Sequence, residues 1–150
     1  EYRITGEFYK SAPEYAIRNS GVMVHSQDPR TMLKDQDWPI SVEMQFLAGL
    51  DDGLPRPTGN MCSPGTDVEF KGRIDPRHCI ESSSKTYKLD EWVNSDTVLQ
   101  YSHPQVGGGV VNNFDPAQKK DGKLLSSGFI ALQAEGQPVD FRRVAIKVLK

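Results

Sequence analysis

The sequence predicts an all-β domain built as a two-sheet antiparallel sandwich, and three observations support this fold class. Several segments alternate apolar and polar residues with the period of two that is typical of a strand with one polar face. No window of about eleven or more residues keeps apolar residues at helical spacing without a proline or glycine. Long stretches rich in turn-forming residues separate the strands. A parallel α/β sheet would need strands that are apolar on both faces and helices between them, so the sequence favours the sandwich over it.

Four segments carry the clearest strand pattern: residues 2–8, 42–46, 130–135 and 139–149. Glycine, proline, aspartate and asparagine are frequent in three other stretches, which we predict to be loops: residues 48–72, 104–113 and 115–123. A single short helical turn is predicted, around residues 29–34 or 116–119.

Length and charge restrict the class of protein further. The 150 residues suit one domain, residues 1–150, and the 18 basic and 20 acidic residues give a net charge of −2. The basic residues lie singly or in pairs, so no nucleic-acid partner is predicted. The longest apolar run, Val144 to Leu149, contains Lys147 and is far shorter than the ~20 residues that span a bilayer. We therefore predict that the chain itself does not cross a membrane.

Cys62 and Cys79 are the two cysteines of the chain, 17 positions apart. His78 is the one close nitrogen donor, and a zinc site needs four ligands, so the sequence argues against one. Two readings stay open, which are a disulfide and a pair of reduced core thiols. The disulfide would contribute roughly 3 kcal/mol by loop closure and would imply an oxidising compartment such as the periplasm or the cell exterior.

Glu43 and Gln45 are two apart on a predicted strand, so their side chains leave one face about 6.6 Å apart. Gln45 is an amide, and the pair therefore cannot supply the two carboxylates, ~5–5.5 Å apart, of a retaining glycosidase. Gln133 and Glu135 repeat the spacing and would join the same surface if their strand lies in the same sheet. The alternative is a solvated polar face without function.

Sugar-binding surfaces combine such polar rows with an aromatic stacking platform. Trp38 and Trp92 are the candidate platforms, with burial in the core as the alternative for each. His25 lies in a strand-like run and faces opposite to its neighbour Val24, and a surface or structural histidine is its alternative. His78 is predicted to anchor its loop and His103 to occupy a turn, and no two histidines have metal-ligand spacing.

Seven segments spread over nearly the whole chain carry a family resemblance: RNSGVMVHSQ (18–27), QDWPISVEMQ (36–45), RPTGN (56–60), RHCI (77–80), GGG (107–109), IALQAEG (130–136) and VDFR (139–142). In this order they resemble the bacterial 3-keto-disaccharide hydrolase domain family, formerly a domain of unknown function. The resemblance implies a jelly-roll sandwich of the concanavalin A-like lectin and glucanase type. It also implies an exported bacterial protein of the periplasm, cell surface or exterior, and it favours a Cys62–Cys79 disulfide.

The sequence departs from the family pattern in two places. Family members usually carry a further segment ahead of the position of Glu1, and they carry a hairpin where Ser95 here runs directly into Asp96. A sandwich without that hairpin would expose unpaired strand edges. We therefore expect that the domain lacks an N-terminal segment and a hairpin after Ser95.

The resemblance implies a chemistry that needs no carboxylate pair. A ketone at C3 of a sugar acidifies the proton on C2, so one base and one group that polarises the ketone can eliminate the substituent at C1, after which water adds back. Glu43 or His25 is the expected base, and Arg18, Asn19 or Arg77 the expected partner of the enolate. The remaining residues expected to bind the oxidised disaccharide or glycoside are Gln45, Gln133, Glu135 and Trp38.

No cofactor is predicted. The glycines 107–109 lack the strand-to-helix context of a phosphate-binding loop. A Ca²⁺ ion held by Asp51, Asp52 and Asp67 is conceivable in this fold. The alternative to an enzyme is a non-catalytic carbohydrate-binding module of a secreted protein, and neither the glycoside nor the oligomeric state follows from the sequence.

Overall fold

The computed structural model describes residues 2–10, 18–88, 91–93, 99–135 and 138–148, with the backbone alone for residues 2–10 and 148. Ten strands make up this part of the chain: β1 (Tyr2–Lys10), β2 (Asn19–Ser26), β3 (Val42–Leu47), β4 (Asn60–Cys62), β5 (Thr66–Phe70), β6 (Arg73–Ile74), β7 (Cys79–Ile80), β8 (Ser102–Val106), β9 (Phe129–Glu135) and β10 (Val139–Val148). The predicted helical turn is a 3₁₀ helix, Pro29–Thr31, which Asp28 caps.

The strands form an antiparallel sheet of five, in the order β7-β4-β3-β2-β9, and one of three, in the order β6-β5-β8. Strands β1 and β10 pair with each other, also antiparallel. The predicted fold class is confirmed, since the described chain is an all-β antiparallel sandwich of the jelly-roll kind. Within the described residues no helix is long and apolar enough to cross a membrane.

One core cluster joins the two larger sheets. Val42, Met61 and Ile80 of the five-stranded sheet pack with Val68 of β5, and all four side chains are buried. A second cluster contains Val22 and Phe46, against which Phe141 of β10 packs. Burying an aliphatic or aromatic side chain of this size contributes about 1.5–3 kcal/mol, so these contacts hold the layers together.

Parts of two segments predicted to be loops are strands. Residues 48–72 contain β4 and β5, and residues 104–113 begin inside β8. These predictions were wrong because the strands are short and depend on distant partners. Pro104 and His103 lie at an irregularity of the β5–β8 pairing, where a proline without a backbone N–H is tolerated.

Cys62 and Cys79 lie directly opposite each other on β4 and β7 and form a disulfide. Of the two alternatives, a disulfide and a pair of reduced thiols, the structure contains the disulfide. It fastens the edge strand β7 to β4. Strand β4 in turn pairs with β3, which carries Glu43 and Gln45. The junction at which a hairpin was expected, after Ser95, lies in residues 94–98, outside the described residues.

Candidate functional site

Strand register places the polar side chains of β3 and β9 on one face of the five-stranded sheet. Gly21 of β2 pairs with Gln45 on one side and Gln133 on the other, and Gln45 pairs in turn with Asn60. Directly opposed residues of an antiparallel ladder point to the same face. The row on this face therefore has one glycine between two glutamines.

The neighbouring rows extend the same surface. Asn19 pairs with Glu135 at one end, and Met23 pairs with Glu43 at the other. The structure thus brings together Glu43, Gln45, Gln133 and Glu135, because β3 and β9 are both neighbours of β2. We refer to Asn19, Glu43, Gln45, Asn60, Gln133 and Glu135 as the polar surface.

The polar surface is mostly withdrawn from solvent. Glu43 is 6% exposed, Asn60 5%, and Asn19 and Gln133 8% each, while Gln45 and Glu135 are half-buried. Of the residues for which a solvated polar face was the alternative, Glu43 and Gln133 are buried, so that alternative does not describe them. Buried polar groups are costly unless they are satisfied by partners, so such a cluster is the expected form of a site.

Gly21 makes room for two side chains to converge. A Cβ atom at Gly21 would lie 2.8 Å from Glu43 Oε1 and 2.8 Å from Gln133 Oε1, closer than real Cβ atoms approach oxygen. The two oxygens are therefore no more than 5.6 Å apart, twice 2.8 Å. Only glycine allows both oxygens to face the same space above the sheet.

Hydrogen bonds fix how Gln133 is turned. Its Nε2 donates to Glu135 Oε2 over 3.3 Å, and Asn19 Nδ2 donates to the same carboxylate oxygen. An amide must present nitrogen, not oxygen, to a carboxylate. The carbonyl oxygen of Gln133 consequently faces Gly21, and it has no hydrogen-bond partner among the described residues.

On the other side of Gly21, Asn60 orients Gln45. Asn60 Nδ2 donates to Gln45 Oε1 over 3.2 Å, while Asn60 Oδ1 accepts from the backbone N–H of Ser82 over 3.0 Å. The carbonyl of Gln45 is thus occupied, unlike that of Gln133. Gln133 therefore offers a ligand a carbonyl oxygen without a hydrogen-bond partner among the described residues, whereas the carbonyl oxygen of Gln45 already accepts from Asn60.

Arg18 lies at the Asn19 end of the polar surface. It is 4% exposed and has a positive φ of 55°, which turns the chain immediately before β2. Its Nη1 donates to the Gly49 carbonyl and, over 2.7 Å, to the Asp51 carboxylate. The buried guanidinium is thereby held against the loop that follows β3.

Arg56 joins Arg18 at this end, and the sequence reasoning missed it as a site residue. Its Nη1 donates to the Ala48 carbonyl over 2.6 Å. Burial lowers the pKa of the Arg56 guanidinium, and the positive charge of Arg18 lowers it further, while Asp52 and Glu135 oppose the change. The two cations are therefore close to each other. The signal in the sequence was the position of Arg56 at the start of RPTGN.

His25 leaves the strand alternation at a bulge. The β2–β9 pairing shifts between Met23 and Ser26, and His25 has a positive φ of 51°. Gly128 packs closely on the His25 backbone. A Cβ atom added at Gly128 would lie 2.4 Å from the His25 carbonyl carbon, so a larger residue would not fit there. The half-buried His25 follows Met23, the residue that faces Glu43, by two positions.

A family model described as the 3-keto-alpha-glucoside-1,2-lyase-like domain matches residues 1–147 of the chain. The chain belongs to this 3-keto-disaccharide hydrolase family. The match agrees with the resemblance carried by the seven sequence segments, and the family implies a carbohydrate substrate. Neither a curated protein nor a solved structure shows significant similarity to the chain.

Arg77, expected to hold an enolate in this family, is not brought to the polar surface. Its guanidinium donates to the Asp75 carboxylate over 2.9 and 2.7 Å and lies 5.9 Å from the Phe70 ring centroid, towards the three-stranded sheet. The hydrogen bonds from Arg77 lower the pKa of Asp75 to about 2.

The two tryptophans have different surroundings. Half-buried Trp38 is in the β2–β3 connection, where its carbonyl accepts from Gln36 Nε2 over 2.6 Å. Trp92 stacks under the Arg142 guanidinium of β10, 3.7 Å from the ring centroid. A stacking role for Trp38 in the family's substrate site stays a prediction.

The remaining histidines have local partners. The backbone carbonyl of His78 accepts hydrogen bonds from the backbone N–H and the hydroxyl of Ser63. Burial lowers the pKa of the His78 imidazole. His103 Nδ1 lies 2.8 Å from Glu69 Oε2 on the three-stranded sheet.

The structure does not assemble the conceivable Ca²⁺ ligands. Asp51 pairs with Arg18, Asp52 accepts from the Leu54 backbone and Asp67 from the Gly108 backbone. Among the described residues, the one group within metal-ligating distance is Cys62, His78 and Cys79, whose thiols are joined as a disulfide. The expectation of no cofactor stays a prediction.

Proposed function

We propose that this family member cleaves 3-keto-glycosides by elimination followed by hydration. The observation that carries the proposal is that one sheet face holds a buried carboxylate, Glu43, buried amides beside it, and the cations Arg18 and Arg56 at its Asn19 end. A single base and a cationic partner for an enolate are the two requirements of this chemistry.

In the proposed reaction Glu43 takes the proton from C2, and the electron pair moves onto the C3 ketone oxygen as an enolate. Asn19 donates a hydrogen bond to that oxygen, and the positive charges of Arg18 and Arg56, at the Asn19 end of the polar surface, stabilise it from a greater distance. The enolate then expels the glycosidic oxygen from C1 and leaves a C1=C2 double bond. The proton from C2 departs with the released alcohol, directly or through His25, so Glu43 returns to its ionised form. Water addition across C1=C2 completes a net hydrolysis.

The deciding experiment is incubation with a 3-keto-disaccharide, with product analysis by NMR, beside the same disaccharide before oxidation. We expect cleavage of the oxidised sugar alone, because the unoxidised sugar has no acidic C2 proton. Cleavage of both sugars at similar rates, or of neither, would contradict the proposal.

A second function is favoured by the amides of the polar surface. Asn19, Gln45, Asn60 and Gln133 supply donors and acceptors that suit sugar hydroxyls, and Gln45 stands where a second carboxylate would be needed for ordinary glycosidase chemistry. A carbohydrate-binding module would bind the unoxidised sugar in a calorimetric titration and turn over neither form.

Export of the protein is also proposed here, supported by the Cys62–Cys79 disulfide.

A further inference from the structure

We infer that the space over Gly21 holds the water that hydrates the elimination product, and that Gln133 is the positioning residue for that water. The inference rests on the proposed function and names the step that separates a hydrolase from a lyase. Without hydration, elimination alone would release the unsaturated 3-keto sugar.

The geometry over Gly21 suits water better than a sugar hydroxyl. Glu43 Oε1 and Gln133 Oε1 both face this space and are no more than 5.6 Å apart, twice their 2.8 Å distance from a Cβ at Gly21. Two hydrogen bonds of about 2.8 Å span such a gap. A carboxylate and an amide carbonyl are both acceptors, and water offers two protons where a hydroxyl offers one.

Gln133 carries this assignment because its orientation is determined. Gln133 is 8% exposed, and its Nε2 is committed to Glu135, so its carbonyl faces Gly21. That carbonyl oxygen is buried and has no hydrogen-bond partner among the described residues. Gln45 flanks Gly21 equally closely in register, but Asn60 already donates to its carbonyl. The two glutamines therefore form a natural pair of test and control.

The hydration step balances with the groups at hand. The water oxygen bonds to C1, one water proton passes to the Glu43 carboxylate, and the C1=C2 electrons move onto the ketone as an enolate. The enolate then takes the proton from Glu43 at C2, which restores the ketone and the ionised carboxylate. Gln133 accepts the second water proton in a hydrogen bond and so directs the oxygen lone pair at C1.

The test measures the rates of elimination and hydration separately in the wild type, in Gln133→Met and in Gln45→Met. Elimination is followed from a 3-keto-glycoside, and hydration from the isolated enone by loss of its ultraviolet absorbance. We expect Gln133→Met to slow hydration about tenfold or more, the effect of losing one hydrogen bond, and to accumulate enone during glycoside cleavage. Gln45→Met should change both steps by the same factor.

Equal loss of both steps in Gln133→Met would overturn the inference, because it would mean that Gln133 binds a substrate hydroxyl. A wild type that releases enone and does not accelerate its hydration would also overturn it, while leaving the elimination intact. A wild type that hydrates enone in a Gln133-dependent way but eliminates nothing would support the inference and contradict the proposed function. Gly21→Ala fills the same space and should reproduce the Gln133→Met product ratio if circular dichroism shows that it folds.

Discussion

Arg18 donates from Nη1 to the Asp51 carboxylate over 2.7 Å, although the Arg18 side chain is 5% exposed and that of Asp51 70%. An ion pair with one partner in solvent is worth little, so we expect Asp51→Ala to lower the free energy of unfolding by less than about 1 kcal/mol. Arg18→Met also strands the Gly49 carbonyl and should cost about 1–3 kcal/mol. Urea unfolding of both variants measures the difference, and equal losses would show that the exposed pair matters more than the burial.

Glu43→Gln should abolish most of the activity while preserving the fold. The amide has the shape of the carboxylate but cannot accept the C2 proton, so we expect kcat on a 3-keto-glycoside to fall by roughly 10²–10⁴-fold. Glu69→Gln is the matched control, since Glu69 lies on the other sheet beside His103. Binding of the 3-keto-glycoside, measured by calorimetry, should survive in Glu43→Gln. Turnover at the parent rate would remove Glu43 from the mechanism.

Arg56→Met tests the cationic end of the polar surface. If Arg56 helps to hold the enolate oxygen, its loss removes an interaction made in the transition state, and kcat should fall about 10²-fold with a small change in KM. Arg56→Lys keeps the charge and should recover part of kcat. A rise in KM at unchanged kcat would instead assign Arg56 to uniform substrate binding.

The period-two pattern predicted the regular strands well. Residues 42–46 and 130–135 form β3 and β9, and the polar members of both lie on one face as their spacing requires. Strands β4 to β8 were hidden because they have two to five residues each and are held by partners far away in the chain. Local sequence does not encode those pairings, and Pro104 argued against a strand at all.

Some residues of the candidate site could likewise be predicted from the sequence, and others could not. Glu43, Gln45, Gln133 and Glu135 could be found from their alternation on strands. Arg56 could not, because its approach to Arg18 depends on how the loop after β3 folds back. Gly21 lies in the segment 18–27 that carries the family resemblance, but its use, to admit two side chains from the strands on either side, follows only from the strand register.

Loss of the disulfide should weaken the fold. Cys62 and Cys79 close a loop of 17 positions, so we expect Cys62→Ala/Cys79→Ala to lower the free energy of unfolding by about 3 kcal/mol. Denaturant unfolding with and without reductant makes the comparison. The wild type should be weakened by reductant, whereas the double variant should be indifferent to it. A wild type that responds no more than the variant would mean that the thiols are reduced in solution.

Asp75 should give stability an acid-sensitive component. Arg77 donates to its carboxylate through Nε and Nη2, and also through its backbone N–H over 3.0 Å, and these bonds lower the pKa of Asp75 to about 2. The unfolded chain has the ordinary value of about 3.9. A carboxyl with a depressed folded pKa stabilises the fold above the unfolded pKa and loses that contribution as pH falls through the folded pKa.

The difference in free energy of unfolding between the wild type and Asp75→Asn should therefore be constant above about pH 5 and shrink between about pH 4 and pH 2. Urea titrations over that range measure it. Arg77→Met removes the two side-chain donors but keeps the backbone N–H, so the pKa of Asp75 should return only part of the way towards its ordinary value and the acid dependence should be reduced. A difference that does not vary with pH in either variant would show that the Asp75 carboxyl is not held by Arg77 in solution.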